Sequence, residues 1–275
     1  MLELHCHTTF SDGTLTPTEL VETAAAAGVR AIAITDHDTL SGWDEAIAAG
    51  KTYGLEIVPG VELSTVWGDR SLHILGFYPQ REQLMSPLTE RLEGRKRRAQ
   101  RMLEALAELG YPLQLADRGE GMAPGRPHIA SAMVAAGYVK TSQEAFDRFL
   151  GEGKPAYVGY EKFSAIEGIQ LLRECGAVPV WAHPYLFQGG KVETTFHALL
   201  DAGLMGLEVY HPSHSPTQTK QLKAWCEQHQ LVMTGGSDYH GPGPAGKGNH
   251  ANQLNGFRIP LSLLDGLKAA VATVR

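Results

Sequence analysis

His5 and His7 flank Cys6 in the alternating segment that opens the chain. If that segment is a strand, its period of two puts both imidazoles on one face, where they can chelate one divalent ion, and turns Cys6 toward the core. The same residue types return at intervals. Asp36-His37-Asp38 follows an apolar run at 31–34, Glu62 follows 56–61, and His73 lies within 71–77. His183 follows 178–181, Glu208 and His211 close 206–210, and Ser237-Asp238-Tyr239-His240 follows 231–234. One histidine at a strand end is unremarkable, but imidazoles and carboxylates at equivalent ends of six strands predict a multinuclear metal site. Nitrogen and oxygen donors without thiolates suit Mn, Zn, Fe or Mg, and donor type alone does not choose among them.

These residues need a scaffold that gathers strand ends. Thr16-Pro17-Thr18-Glu19 carries the cap, first-turn proline and reciprocal glutamate of a helix start, the alanine-rich stretch stops at Gly28, and 31–34 reads as a buried strand. A second helix from 41–44 to about Gly54 leads to the strand at 56–61. After residue 164 the rhythm resumes: helix 165–175, strand 178–181, helix 192–202, strand 206–210, helix 216–229 and strand 231–234. Such alternation predicts a parallel α/β barrel or open sheet, whose strand C-termini form one face.

The rhythm breaks between about 88 and 162. A long charged helix at 88–109, a Gly/Pro-rich stretch at 119–127 and shorter helices at 128–136 and 142–150 predict a mainly helical insertion over 91–162. Residues 1–90 and 163–275 then form the main domain, which the insertion is expected to cap. Arg91, Arg95 and Arg98 share a helical face interleaved with acids and read as a solvated stripe.

Composition narrows the class. The 275 residues are 43% hydrophobic and carry 24 basic against 30 acidic side chains; the plentiful apolar residues point away from disorder, and the net charge of −6 argues against a general nucleic-acid-coating protein. Cys6, Cys175 and Cys226 are distant and lack CxxC spacing, which argues against a disulfide framework or a thiolate zinc site. No segment reads as a signal peptide or a membrane span. A cytoplasmic protein without membrane contact or an obligate protein partner is expected.

His5-Cys6-His7 with Ser11-Asp12-Gly13, Thr35-Asp36-His37-Asp38, Pro59-Gly60-Val61-Glu62, His73, Ala182-His183-Pro184 and Gly236-Ser237-Asp238-Tyr239-His240 together resemble the PHP family, the polymerase and histidinol phosphatase metallo-phosphoesterases. The resemblance spans both ends of the chain and implies a distorted (β/α)7 barrel of TIM type with up to three metal ions. It implies that His5, His7, Glu62 and Asp238 hold one ion, that Glu62 bridges to a second held by His73 and His183, and that Asp12, His37 and His240 hold a third. Phosphoester hydrolysis follows, with a metal-activated hydroxide as nucleophile and His211 placed to assist. Neither a G-x-S-x-G elbow nor a P-loop is present.

Gly125-Arg126-Pro127-His128, Gly153-Lys154-Pro155-Ala156-Tyr157 and Glu208-Val209-Tyr210-His211-Pro212 resemble the subgroup of nucleoside 3′,5′-bisphosphate phosphatases and 5′-to-3′ exoribonucleases. The implied reaction removes the 3′-phosphate of a nucleoside 3′,5′-bisphosphate, such as adenosine 3′,5′-bisphosphate, to leave a 5′-mononucleotide, with Arg126, His128 and Lys154 holding the substrate. Exonuclease action on short 5′-phosphorylated RNA is the alternative. Histidinol phosphate hydrolysis and a non-catalytic metal-binding module are further readings. Manganese is the expected metal.

Overall fold

The computed structural model describes residues 1–115, 122–159, 163–242 and 253–275. The stretch from Gly241 to Gly248, which its glycines and prolines mark in the sequence as a flexible loop, is described only to Pro242; its remainder, His250 and the start of the Gly/Pro-rich stretch at 119–121 lie outside the described residues. The chain divides into two compact units, Met1–Ser86 with Lys162–Arg275, and Pro87–Glu161.

The first unit is built on seven strands, β1 (Leu2–Glu3), β2 (Ala31–Ile34), β3 (Glu56–Trp67), β4 (Arg70–Phe77), β5 (Val178–Trp181), β6 (Gly206–Tyr210) and β7 (Val232–Gly235), hydrogen-bonded in sequence order. The last strand returns to the first: Leu4 N donates to Gly235 O at 3.0 Å and Cys6 bridges Tyr239, so the sheet nearly closes into a barrel. Between strands run α1 (Pro17–Ala26), α2 (Trp43–Tyr53), α6 (Ala165–Glu174), α7 (Val192–Asp201) and α8 (Pro216–His229). The predicted capping box forms at α1, where Thr16 accepts from Glu19 N and Glu19 reaches back to Thr16 N at 2.8 Å.

Uniformly parallel strands are not what the molecule has. β3 runs past Val61 to Trp67, turns at Gly68, and β4 returns antiparallel to both β3 and β5. Gly68 sits at φ +61, a conformation that suits glycine in a tight hairpin turn. The reversal leaves His73 useful, because its partner is Ser64, two residues beyond Glu62, and it therefore falls at the end where the parallel strands finish.

Leu2, Leu4, Ala31, Ala33, Val58, Leu75, Phe77, Val178 and Val180 form one buried cluster, completed by Ile259, Leu264 and Leu267. The last two belong to α9 (Leu263–Val274), a helix absent from the sequence-based reading although Leu263, Leu264, Leu267, Ala270, Val271 and Val274 repeat at helical spacing. It packs where the parallel strands begin, at the opposite end from the histidines.

In the second unit, α3 (Arg81–Glu108, most of which lies in this unit), α4 (Arg126–Ala135), α5 (Ser142–Ala145) and a π-helical turn at Phe146–Leu150 surround a core of Met102, Leu106, Ile129, Met133, Phe149 and Leu150. No strand occurs among its described residues. The solvated arginine stripe is overturned in part: Arg95 and Arg98 are buried, and Arg98 Nε donates to Val158 O at 2.7 Å. Arg98 also lies over the Tyr157 ring, so its long stem packs while its Nε finds a partner inside the unit.

Candidate metal centre

β1 ends two residues before His5, and both His5 and His7 are wholly buried on the path toward the closing bridge with Tyr239. Two glycines allow that path. A Cβ on Gly236 would stand 2.5 Å from His5 N, and one on Gly13 2.4 Å from His7 O. The turns that carry Asp238 and Asp12 therefore approach the histidine strand closer than any other residue would permit.

Glu62 stands at the middle of the cluster with its two oxygens facing different groups. Oε2 lies 3.1 Å from His5 Nε2, 3.1 Å from His7 Nε2 and 3.3 Å from His37 Nδ1. Oε1 lies 2.8 Å from His73 Nδ1 and 3.2 Å from His183 Nε2. Asp238 Oδ1 is 3.3 Å from His5 Nε2 and 3.2 Å from His7 Nε2. Asp12 Oδ1 is 3.2 Å from His240 Nε2, and Asp12 Oδ2 is 3.9 Å from His37 Nε2. Asp38, His183 and Asp238 all take positive φ, which marks the strand-end turns around the cluster as conformationally demanding.

The donor set fits divalent ions. His5 Nε2 and His7 Nε2 are buried without a hydrogen bond of normal geometry, although two carboxylate oxygens stand just over 3 Å from each. Ligands sharing one tetrahedral ion at about 2.1 Å are separated by about 3.4 Å, close to these distances. Among the described residues, three groups could each surround an ion: His5, His7, Glu62 and Asp238; His7, Asp12 and His240; and His37, Glu62 and His73. His37 thus offers Nδ1 to the Glu62 side and Nε2 to the Asp12 side.

Electrostatics tell the same story. Burial penalises the Glu62, Asp238 and Asp12 carboxylates, yet the surrounding imidazoles hold all three well below the usual carboxylate range. Burial likewise opposes a charge on His7, but Asp238 and Glu62 push it up to about 10. So many opposed charges in one dry place stay together only when each is balanced.

Several residues support the cluster from around it: Glu208 and Asp36, which the sequence places at strand ends, and Glu3, which carries no such signal. Glu208 Oε1 accepts from His5 Nδ1 at 3.0 Å while Oε2 accepts from His183 N at 2.7 Å, leaving His5 Nε2 directed at Glu62 and Asp238. Asp36 accepts from Thr8 N, Thr8 Oγ1 and Ser11 Oγ at 2.6–2.7 Å, which fastens the loop bearing Asp12. Glu3 accepts from Ser237 N at 2.9 Å and Asn255 N at 2.6 Å, tying β1 to the turn before Asp238, and burial lifts its carboxyl to about 7. Glu3 lies 234 residues from Ser237 and 252 from Asn255 in sequence, so only the fold could reveal it.

His211 is buried, with Nδ1 2.7 Å from Ser213 Oγ and Nε2 3.8 Å from Asp238 Oδ2. His214 is also buried, its Nδ1 donating to Val209 O at 3.1 Å. Within the second unit, Arg126 is half-buried with its guanidinium over the rings of Phe146 and Tyr157. His128 Nδ1 accepts from Gly125 N at 2.9 Å, and Lys154 is exposed.

Residues 3–117 match the family model for the PHP domain. A 5′-3′ exoribonuclease of Haemophilus influenzae is 36% identical over 87% of this chain and 90% of its own length. A 3′,5′-nucleoside bisphosphate phosphatase of Chromobacterium violaceum is 34% identical over 90% of this chain and 89% of its own. Among solved structures, a protein of Bifidobacterium adolescentis assigned as a metal-dependent phosphoesterase superposes with a TM-score of 0.81 at 35% identity, covering 96% of both chains. The chain belongs to the PHP family, and its barrel is that family's distorted (β/α)7 form.

Proposed function

We propose that the protein is a metal-dependent phosphatase that removes the 3′-phosphate from nucleoside 3′,5′-bisphosphates, leaving a 5′-mononucleotide. The observation that carries this reading is the division of Glu62 between two histidine groups, which is the arrangement a bridging carboxylate needs. His5, His7, Glu62 and Asp238 would hold one ion, Glu62, His73 and His183 a second, and Asp12, His37 and His240 a third, with manganese the metal of choice. When bound, such ions activate water and neutralise charge on the phosphoryl oxygens.

The chain's own residues do the rest. Glu208 orients His5 and the backbone of His183, and Asp36 steadies the loop of Asp12. His211, held by Ser213, supplies a proton to the departing 3′-oxygen. Arg126 is assigned to the 5′-phosphate together with His128 and Lys154. Two aromatic rings flank its guanidinium and restrict the fork that a phosphate would meet. His128 Nδ1 serves the helix start.

The C. violaceum relative carries the name of this activity, and the H. influenzae relative is named for exonuclease action, which is the second reading here. Side-by-side rates with Mn²⁺ on adenosine 3′,5′-bisphosphate, a 5′-phosphorylated trinucleotide and histidinol phosphate test the choice. The bisphosphate should be the fastest; a clear preference for histidinol phosphate would overturn it. No helix among the described residues is long and apolar enough to cross a membrane. Three free, buried cysteines support a reducing, cytoplasmic setting.

A further inference from the structure

Beside the metal centre, and within the same unit, a cleft of about 610 Å³ opens along the end of β6 and the exposed side of α8. Tyr210, His214, Thr219, Lys220, Lys223 and Phe257 line it. The volume is that of a small-molecule site. One imidazole separates it from the cluster: the His214 ring stands 5.4 Å from that of His211, whose Nε2 is 3.8 Å from Asp238 Oδ2.

The lining has the parts a nucleotide uses. Phe257 is 41% exposed, a large aromatic face in water beside Tyr210. Lys220 and Lys223 stand three apart on one face of α8, and among the described residues neither forms an ion pair, although Glu227 also borders the cleft. His214 Nε2 is buried and has no hydrogen-bond partner, while Nδ1 is engaged by Val209 O. A cation pair and aromatic faces in one cleft match a base joined to a phosphate.

We propose that this cleft binds the second nucleotide of a 5′-phosphorylated RNA, with the base on Phe257 and Tyr210 and the following phosphate on Lys220 and Lys223. The proposal rests on the reading of the neighbouring cluster as a phosphoesterase centre acting on a 3′-phosphoryl group. In RNA that phosphoryl group carries the next nucleotide, so a neighbouring cleft is where the rest of the strand must go. Water adds to phosphorus, the bond from phosphorus to the first nucleotide's O3′ breaks, and O3′ takes a proton. The shortened strand keeps the phosphate as its new 5′-phosphate. A bisphosphate undergoes the same bond cleavage without reaching the cleft.

The full-length protein and its K220A/K223A and F257A variants provide the test, since all three side chains are at least partly in water. Binding of a 3′-fluorescein, 5′-phosphorylated trinucleotide is measured by anisotropy in EDTA, and kcat/KM with Mn²⁺ on the trinucleotide and on adenosine 3′,5′-bisphosphate. Each variant should bind the trinucleotide about 10-fold more weakly. K220A/K223A should also flatten the log–log salt slope by about 0.7 for one lost phosphate contact. In both variants kcat/KM on the bisphosphate should stay within about twofold. Undetectable trinucleotide binding by the unaltered protein, equal binding by all three proteins, or equal losses on both substrates would overturn the proposal. If the unaltered protein hydrolyses neither substrate, the phosphatase reading fails, and the anisotropy result still decides the cleft.

Discussion

Glu62 meets five imidazoles with two oxygens, and the groups that steady those imidazoles decide whether the cluster can take up ions. Glu208 is the clearest of them. Glu208→Gln keeps the volume but sets an amide donor against a His5 or His183 N–H, so metal affinity or activity should fall about 10- to 100-fold. Metal titration and steady-state rates measure this, and unchanged values would remove its orienting role. His214 gives a pH prediction. Burial holds its imidazole down to about 4 from an ordinary 6.5, so the unfolded chain accepts a proton that the folded chain refuses. The stability it contributes is complete above pH 6.5 and declines by about 3 kcal/mol as pH falls toward 4. His214→Gln should flatten that part of the acid limb in denaturant titrations, whereas an unaltered slope would contradict the assignment. The His-X-His pair and the strand-end carboxylates were legible in the sequence because a period of two and a turn signal reveal them. Glu3 and Asp36 act on groups 25 or more residues away, and no local spacing encodes such contacts.

At the scale of elements, alternation of apolar runs with capped helices made the barrel legible, yet it concealed the direction of β4. A strand buried on both faces has the same composition whichever way it runs, and the hairpin hinged on a short turn at Gly68. The buried Arg95 and Arg98 escaped for a related reason: charge at helical spacing reads as a wet face unless the partners of the guanidinium are known. α9 was readable from its spacing and closes the end where the parallel strands begin. Leu267 is fully buried there, and Leu267→Ala should cost about 3 kcal/mol of folding stability through lost burial and a cavity. Chemical denaturation would show it, and a loss below about 1 kcal/mol would mean that α9 merely rests on the barrel.

For the whole molecule, nine residues between His5 and His240 that are scattered through the sequence stand in one cluster of the first unit. The net charge of −6 overstates how negative that face would be to an incoming phosphate, since Asp12, Glu62 and Asp238 would be neutralised by cations. Metal identity was not legible, because nitrogen and oxygen donors serve several divalent ions equally well. The most direct test of the central claim is product analysis on adenosine 3′,5′-bisphosphate after chelation and stepwise return of Mn²⁺. Inorganic phosphate and adenosine 5′-monophosphate should appear together and only with metal. Adenosine 3′-monophosphate as the product, or no phosphate at any Mn²⁺ concentration, would contradict the account.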